Sequence, residues 1–321
     1  MTYKNVNTLI NANKNVDELV HYDFKHERGI YKSVGNIQLW LEYRNEVGNW
    51  DCDGSGDNAT ETCGLTRDIY KVLWEWSSEN ENRYKNTAYF NNMLMGPDTM
   101  NSYFNVLTQV VEVVSPNGKI EYFKGIEKKT HWSKPDTSRK GFLNLVANVL
   151  ENKEIGALLD IYAKLTHTIG NFVLVPRGFN RGRTSKTSDY WDLSLQVIQS
   201  DKNWLQAETV KKYVNTFFLW DYVDENYEVR PFFAGHSLQN KKPNTISECV
   251  EMLQAIKDAI VRRGYFIVAM LKVAIKYPDK YEQIMNEIIN LEKANMESAI
   301  QIIKVATNRD IEIFDILNKL Q

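Results

Sequence analysis

A basic segment that contains no carboxylate lies between Asp160 and Asp189. Its five cations give residues 161–188 a charge of +5 in a chain whose net charge is −2, and they are Lys164, Arg177, Arg181, Arg183 and Lys186. Guanidinium groups bind phosphate and carboxylate groups through pairs of parallel hydrogen bonds. We therefore predict that the four cations within residues 177–186 bind an anionic ligand.

The neighbouring sequence strengthens this prediction. A short apolar strand, FVLV at 172–175, precedes the basic loop, and SDYWDLSLQVI predicts a helix directly after it. The N-terminus of a helix offers backbone N–H groups and a positive dipole to an anion. The alternative is that the loop arginines form ion pairs within the fold, with Asp189, Asp192 or Glu225. Both interpretations stay open at the level of sequence.

A second polar segment, DCDGSGDNATET at 51–62, places the carboxylates of Asp51, Asp53 and Asp57 close together. The spacing approaches that of a calcium-binding EF-hand loop, but Thr62 stands at the twelfth position, where a bidentate glutamate is required. Two interpretations remain. The segment is either a solvated loop or a site where clustered carboxylates hold Mg²⁺ together with substrate phosphates, and Mg²⁺ is the one cofactor that the sequence suggests.

Two histidines are candidates for acid–base chemistry. His131 lies in the polar segment KKTHWSKP, where an exposed imidazole can act as a general base or bind a metal. His167 lies beside an apolar strand, a position more typical of a structural residue. The chain contains no G-x-S-x-G, P-loop or dinucleotide-binding motif, and its three cysteines include no C-x-x-C pair. The residues alone leave open whether the protein is an enzyme.

The composition is that of an ordinary globular protein of 321 residues, 43% of them hydrophobic. The balance of 39 basic and 41 acidic residues confines any nucleic-acid binding to one region of the surface. A polar N-terminus and few cysteines predict an intracellular, cytoplasmic protein. The most apolar run, YFIVAMLKVAI at 265–275, is interrupted by Lys272, so it predicts a buried helix and no membrane span.

Hydrophobic periodicity predicts the elements of the N-terminal half. They are a strand over 30–43 and helices over 65–76, 139–150 and 154–165. Asp98 is a candidate N-cap for a further helix that ends before Pro116. Within that helix, VVEVV at 110–114 has an alternative as one strand of a hairpin whose turn is SPNGK.

The C-terminal half is predicted to be helical. The expected helices are 191–198, 207–223, one helix or two over 246–276, and two more within 279–320. Ser188 or Asp189 is the candidate N-cap of the first, and Pro278 suits the first turn of a helix. The segment TNRD, 307–310, marks the break between the last two helices.

These elements predict an α+β protein that is mainly helical, with a small sheet in the N-terminal region. We place a boundary near residue 235. Residues 1–235 form a mixed α/β region that carries the acidic loop 51–62 and the basic loop 177–186. Residues 236–321 form a helical region that packs on it or mediates a homodimer.

The segments TIGNFVLVPRGFNRGR, DYWDLSL, LTRDIYKVLW and FFLWDYVDENYEVRPFF together resemble an uncharacterised family of bacterial proteins that carries only a domain-of-unknown-function label. The resemblance covers residues 35–235. It implies one coherent unit that contains both the acidic and the basic loop, and it implies no activity.

The segment IGNFVLVPRGFN, 169–180, is also similar to the IGN-L-x-L-L-P…N core at the end of HNH-type nuclease domains of restriction systems. This resemblance implies that Asn180 orients a catalytic histidine. That histidine would activate a water as general base while a divalent metal stabilises the leaving oxygen. The nearest counterpart of the upstream acid-x-x-His run is Glu127…His131-Trp132, at a different spacing.

Two functions are consistent with these observations. The first is a bacterial or phage protein that binds a phosphate-bearing ligand, either nucleic acid or nucleotide, through the basic loop. If it is an enzyme, the best class is a Mg²⁺-dependent phosphodiesterase or nuclease, with His131 or His167 as base. The second is a non-catalytic module that binds another protein, for example in host–phage conflict. Exposed apolar positions along 246–320 would favour the second function.

Overall fold

The computed structural model describes residues 5–12, 15–24, 64–77, 83–84, 95–114, 149, 151–176, 179, 187, 190–200 and 207–320. These residues form a mainly helical α+β fold with small antiparallel sheets, as the sequence predicted. The predicted strand over 30–43 and the SPNGK turn lie outside the described residues, as does most of the predicted helix over 139–150.

The N-terminal half contains short helices and two pairs of strands. The helices are α1 (Val6–Ala12), α2 (Val16–Val20), α3 (Gly64–Trp74), α4 (Tyr103–Val114) and α5 (Lys153–Leu165). The strands are β1 (Trp76–Ser77), β2 (Arg83–Tyr84), β3 (Met95–Thr99) and β4 (Phe172–Pro176), and a 3-10 turn (Ile169–Asn171) leads into β4. Strand β1 pairs with β2, and β3 pairs with β4, both antiparallel. The predicted helix 154–165 and the predicted strand 172–175 are thereby confirmed.

The C-terminal half is helical in its described residues. The helices are α6 (Trp191–Ser200), α7 (Ala207–Thr216), α8 (Ile246–Lys276), α9 (Pro278–Ile289), α10 (Met296–Ala306) and α11 (Ile311–Asn318), and a second 3-10 turn (Trp220–Tyr222) follows α7. Among the described residues, no helix has both the length and the apolar character needed to cross a bilayer.

Helix α8 is the element on which most of the others pack. It begins with a capping box, in which the Thr245 hydroxyl accepts a hydrogen bond from the Glu248 N–H while the Glu248 carboxylate accepts one from the Thr245 N–H. Every residue from Phe266 to Val273 is buried, so this part of α8 is surrounded on all sides. It contacts α2, α3, α4, α5, α9, α11 and both 3-10 turns. Residues 246–276 thus form one continuous helix, which is completely buried from Phe266 to Val273.

Two glycines bring the backbone of α8 against the first 3-10 turn. A Cβ atom on Gly170 would lie 2.0 Å from the carbonyl oxygen of Ile260, which is closer than any real contact. On the facing side, a Cβ atom on Gly264 would lie 3.0 Å from a methyl group of Val20. The turn and the helix therefore pack backbone against backbone, and only glycine fits at position 170.

The start of helix α4 corrects one prediction. Asp98 does not cap a helix, because it lies in β3, opposite Val173 of β4. The buried strand β4 needs a partner for its backbone N–H and C=O groups, and residues 95–99 supply one. Helix α4 begins only at Tyr103 and continues through Val114. The alternative of a strand over 110–114 is thereby excluded.

The predicted helix over 207–223 is too long, since α7 ends at Thr216. Phe218 adopts a left-handed conformation with φ 57°, and the Leu219 N–H bonds back to the carbonyl of Val214. This bond pattern is a common helix terminator that usually has glycine at the left-handed position. Phe218 takes it because its ring packs against Trp74, Trp220 and Phe266. Tertiary packing therefore outweighs the local helical periodicity here.

The region after Pro278 contains three helices where two were predicted. The break at 307–310 is confirmed, but a further break separates α9 from α10. There the side chain of Asn295 caps α10 by accepting from the Ser298 N–H at 3.3 Å. The two short helices α1 and α2 were not predicted, because their segment is polar and rich in asparagine.

We expect Gly170→Ala to lower the free energy of unfolding by about 2–3 kcal/mol, because the added methyl group overpacks a backbone contact. Gly64→Ala is the matched control, since nothing lies within 4 Å of a Cβ atom there. Urea denaturation monitored by circular dichroism measures both. Equal stability of the two variants would show that the turn and α8 do not approach as closely as described.

Candidate functional site

Most of the predicted site residues lie outside the described part of the structure. They are the candidate base His131, the HNH-like Asn180, the loop cations Arg177, Arg181, Arg183 and Lys186, and the candidate metal ligands Asp51, Asp53 and Asp57. Their roles stay predictions. The structure does describe His167 and the elements that enclose the basic loop.

His167 lies in the turn between α5 and the first 3-10 turn, and it is 2% exposed. Its carbonyl oxygen accepts a hydrogen bond from the Phe24 N–H at 3.0 Å. The flanking residues Thr166 and Thr168 are also buried, and their hydroxyls donate to backbone carbonyls of α5. This burial agrees better with a structural role for His167 than with contact to a substrate.

The basic loop is held at both ends by buried residues. It begins after β4, and Phe179 is buried and donates its N–H to the carbonyl of Pro176 at 3.0 Å. At the other end, Thr187 and Tyr190 are buried, and the Tyr190 N–H bonds to the Thr187 carbonyl at 3.1 Å. Helix α6 starts at Trp191. The predicted strand before the basic segment and the predicted helix after it are confirmed, while most of the residues between them lie outside the described part of the chain.

Lys164, the first cation of the basic segment, belongs to a different element. It is exposed in the last turn of α5, where a positive charge interacts favourably with the helix dipole. The four other cations of the segment follow β4. The five cations that are consecutive in the charge pattern therefore do not share one element, since Lys164 lies at a helix terminus.

The N-terminus of α6 offers less to an anion than the sequence suggested. The Trp191 N–H donates to Oδ1 of Asn101 at 3.1 Å, and the Leu193 N–H donates to Oδ1 of Asp192 at 2.8 Å. The Ser194 N–H makes the first intrahelical bond, to the Tyr190 carbonyl. Because the N–H groups of Trp191 and Leu193 are already bonded to side chains of the protein, an anion near this terminus would have to be bound by other groups.

Asp192 and His236 form a buried acid–histidine pair at this helix terminus. Their side chains are 0% exposed, and Nδ1 of His236 lies 2.6 Å from Oδ2 of Asp192. The same oxygen accepts a hydrogen bond from the Phe232 N–H at 2.9 Å. The imidazole stacks on the Phe232 ring and meets the edge of Tyr190, and its Nε2 lies 3.3 Å from the carbonyl oxygen of Lys241.

The contacts of Asp192 and His236 argue against a catalytic triad and against an ion pair between Asp192 and the loop arginines. In a nucleophile-activating triad, Nε2 of the histidine must face the nucleophile, whereas here it faces a backbone carbonyl. The carboxylate of Asp192 already accepts from His236 and from two backbone N–H groups. Glu225 pairs with Lys293 at 3.1 Å. Two of the three carboxylates proposed as partners of the loop arginines are therefore engaged elsewhere.

A buried asparagine pair joins the elements that flank the loop. The side-chain oxygen of Asn171 accepts from the Asn101 N–H at 3.1 Å, and its amide donates to the carbonyls of Asn101 and Thr166. Asn101 in turn holds the Trp191 N–H and lies 3.3 Å from the Tyr222 hydroxyl. The end of β3, the first 3-10 turn and the start of α6 are therefore connected through two side chains.

Arg263 of α8 also forms hydrogen bonds to the first 3-10 turn. It is fully buried, and it donates from Nε to the Phe217 carbonyl at 2.8 Å. Its Nη1 donates to the carbonyls of Gly170 and Phe172 at 2.8 and 2.7 Å, and it lies 3.3 Å from that of Ile169. Burial lowers the pKa of the guanidinium to about 10, so it remains charged at neutral pH.

Several features of the TIGNF segment therefore have a structural explanation. Gly170 makes room for α8, Asn171 joins three elements, and the carbonyls of residues 169, 170 and 172 bind Arg263. This segment also carries the two resemblances that the sequence suggested. Its geometry accounts for Gly170 through close packing and for Asn171 through side-chain hydrogen bonds in the core.

The described residues contain neither a cluster of metal ligands nor a reactive thiol. No three histidine, cysteine, aspartate or glutamate side chains among them converge as metal ligands. Cys249 is buried at the start of α8, and burial raises the pKa of its thiol to about 12. Such a thiol is a poor nucleophile, because the thiolate is the reactive form.

Sequence reasoning did not identify the pair of Asp192 and His236, because the two residues are 44 positions apart and follow no motif. Arg263 could have been recognised, since an arginine inside the apolar stretch AIVRRGYFIV must either reach the surface or bind buried acceptors. Arg262, its neighbour, reaches a partly exposed ion pair with Asp221. Only the structure distinguishes the two arginines.

No protein-family model matches the chain, and no curated protein and no solved structure matches it either. The two resemblances suggested by the sequence therefore stay predictions.

We expect Arg263→Lys to lower the free energy of unfolding by about 3 kcal/mol or more. An ammonium group cannot reproduce the planar fork, so buried carbonyls lose their donors. Arg262→Lys is the matched control and should cost less than about 1 kcal/mol, since its ion pair is partly exposed. Urea denaturation of both variants makes the comparison, and similar losses would contradict the structural role given to Arg263.

Proposed function

We propose that the protein binds a phosphate-bearing ligand, either nucleic acid or nucleotide, through Arg177, Arg181, Arg183 and Lys186. The observation that carries this proposal is the state of Asp192. This carboxylate lies six positions after Lys186 in sequence, and it accepts hydrogen bonds from His236 and from the N–H groups of Leu193 and Phe232. Four cations that lack an acid within their own segment are suited to an external anion.

The fold supports the proposal by anchoring the loop. Strand β4 pairs with β3 before the loop, and the asparagine pair and Asp192 hold the start of α6 after it. Binding groups on a loop that a rigid scaffold positions are a common arrangement in proteins. Since the N–H groups of Trp191 and Leu193 at the start of α6 have partners, the guanidinium groups supply the affinity and the salt dependence.

An enzymatic form of the same proposal is a Mg²⁺-dependent phosphodiesterase or nuclease in a bacterial or phage protein. It rests on the similarity of residues 169–180 to HNH-type domains. His131 is the better candidate for the base, because His167 is buried. Asp51, Asp53 and Asp57 are the candidate metal ligands, and Asn180 is the candidate residue that orients the base.

A second candidate function is a non-catalytic module that binds a protein partner or a second copy of the chain. Two exposed apolar side chains favour it. Val305 at the end of α10 is 75% exposed, and Ile311 at the start of α11 is 78% exposed. They stand on either side of the turn 307–310, so a partner could contact both.

The first test measures binding of a fluorescent single-stranded DNA oligonucleotide by anisotropy. Replacing both Arg181 and Arg183 with alanine should weaken binding at least tenfold. The slope of log affinity against log salt concentration should also become less steep by roughly 1.4, which is about 0.7 for each lost phosphate contact. The melting temperature should not change. Lys293→Ala with Lys319→Ala is the control, because it removes the same charge from exposed positions elsewhere.

Two outcomes of this test would count against the proposal. A large fall in melting temperature on replacing Arg181 and Arg183 would assign these side chains to ion pairs in the fold. Wild-type binding that does not depend on salt would exclude phosphate contacts. In the same preparation, release of the fluorescent label from the oligonucleotide in the presence of Mg²⁺, Mn²⁺ or EDTA tests for cleavage. If the protein is a nuclease, His131→Ala should abolish this cleavage.

If the protein instead binds a partner or a second copy of the chain, that association should depend on the exposed side chains of Val305 in α10 and Ile311 in α11. Light scattering coupled to size exclusion should detect a dimer of the wild type that Val305→Asp with Ile311→Asp converts to a monomer. Ile161→Asp is the control, because Ile161 is a partly exposed apolar residue of α5, outside the C-terminal helices. A monomeric wild type at every concentration would remove the homodimer from consideration.

A further inference from the structure

Helix α9 has one side packed on the core and a polar side turned away from it. The buried side consists of Ile284, Met285, Ile288 and Ile289. Residues at steps of three and four positions share one face of a helix, and such a series forms the polar side. It lines an open depression of about 560 Å³, and its residues are Asp279, Glu282, Gln283, Asn286, Glu287 and Asn290. With three carboxylates among these six residues, this acidic face of α9 carries a negative charge.

The region where α9 begins, beside the turn 307–310, carries the opposite charge. The Lys280 ammonium donates to the Ala306 carbonyl at 2.8 Å, so it lies at the end of α10. Five cations form this basic corner, and they are Lys272, Lys276, Lys280, Lys304 and Arg309. Its two carboxylates, Asp310 and Glu312, pair with Lys276 and Lys272. Among the described residues no ion pair joins Lys280, Lys304 or Arg309 to a carboxylate, which leaves the corner with a charge of +3.

Two exposed apolar side chains stand in the basic corner. Val305 directly precedes Ala306, the residue that bonds to Lys280, and Ile311 directly follows Asp310. Both side chains are more than two-thirds exposed. Exposed apolar residues with a charged rim are typical of surfaces that bind another protein.

The charges along α9 make this surface complementary to itself. Lys280 and Glu287 are seven positions apart, so they lie on the same side of the helix at a spacing of about 10 Å. A two-fold axis beside Gln283, midway between them, makes the α9 helices of two copies antiparallel. It then places Lys280 of each copy opposite Glu287 of the other. A contact with two-fold symmetry must match its own surface, and this arrangement forms the same pair of opposite charges twice.

We propose that the protein forms a homodimer through α9 and the basic corner, with the two α9 helices antiparallel. The acidic face of each α9 meets the basic corner of the other copy, and Val305 and Ile311 lie against the depression. A second copy is the partner because one helix carries both of the charges that the contact needs. This inference rests on the second candidate function, and it names the partner and the surface.

Charge reversal followed by sedimentation velocity tests this proposal. Lys280→Glu and Glu287→Lys should each weaken the wild-type dimer at least tenfold, because each creates two like-charge contacts across the two-fold axis. An equal mixture of the two variants should dimerise nearly as well as the wild type, since each reversed residue then faces an opposite charge.

Melting temperatures show whether the variants fold. Lys280→Glu removes the bond to the Ala306 carbonyl, whereas in the described part of the chain Glu287→Lys removes only a bond from Gln283 on the same helix. The Glu287→Lys variant therefore keeps the test valid if Lys280→Glu is unstable.

Asp258→Lys is the matched control, because Asp258 accepts a hydrogen bond from a glutamine one turn earlier on α8, as Glu287 does on α9. This variant should dimerise like the wild type. When mixed with fluorescently labelled Lys280→Glu, it should not restore dimerisation of the labelled protein, whereas Glu287→Lys should.

Three outcomes would overturn the inference. A wild type that is monomeric at every concentration would overturn it together with the homodimer form of the second candidate function. A dimer that Val305→Asp with Ile311→Asp abolishes, but that Lys280→Glu and Glu287→Lys leave intact, would overturn this inference alone. The same holds if both charge variants are folded monomers whose mixture remains monomeric.

Discussion

The buried guanidinium of Arg263 is the interaction on which the rest of the structure depends. It lies on the central helix α8 and binds backbone carbonyls from the first 3-10 turn, from strand β4 and from the end of α7. A charge in the core is costly, and the bonds from Nε and Nη1 to these carbonyls offset part of that cost, so the carbonyls must keep their positions. Gly170 and Gly264 permit the close approach that this geometry requires.

The elements that enclose the basic loop are positioned by this core. Strand β4 begins directly after the turn that Arg263 holds, and Asn171 of the same turn reaches Asn101, which caps α6. The loop between β4 and α6 therefore starts and ends on elements joined by buried hydrogen bonds. Asp192 and His236 extend this connection to the segment that leads into α8.

Much of the local structure could be predicted from the sequence. The strand FVLV, helix α3 and the buried character of α8 follow from periodicity and composition. The errors arose where tertiary contacts outweigh local preference. Residues 95–99 became a strand because β4 needed a partner, and α7 stops at Thr216 because Phe218 enters an aromatic cluster in a left-handed conformation.

The sequence by itself determined the mainly helical class, the strand before the basic segment and the helix after it, and the concentration of positive charge after β4, since each of these is a local property of neighbouring residues. Only the tertiary structure decided which polar side chains are buried together. Asp192 meets His236 across 44 positions, and Arg263 meets the turn at residues 169–172 across more than 90. Such pairings depend on how helices pack, and no spacing in the chain encodes them.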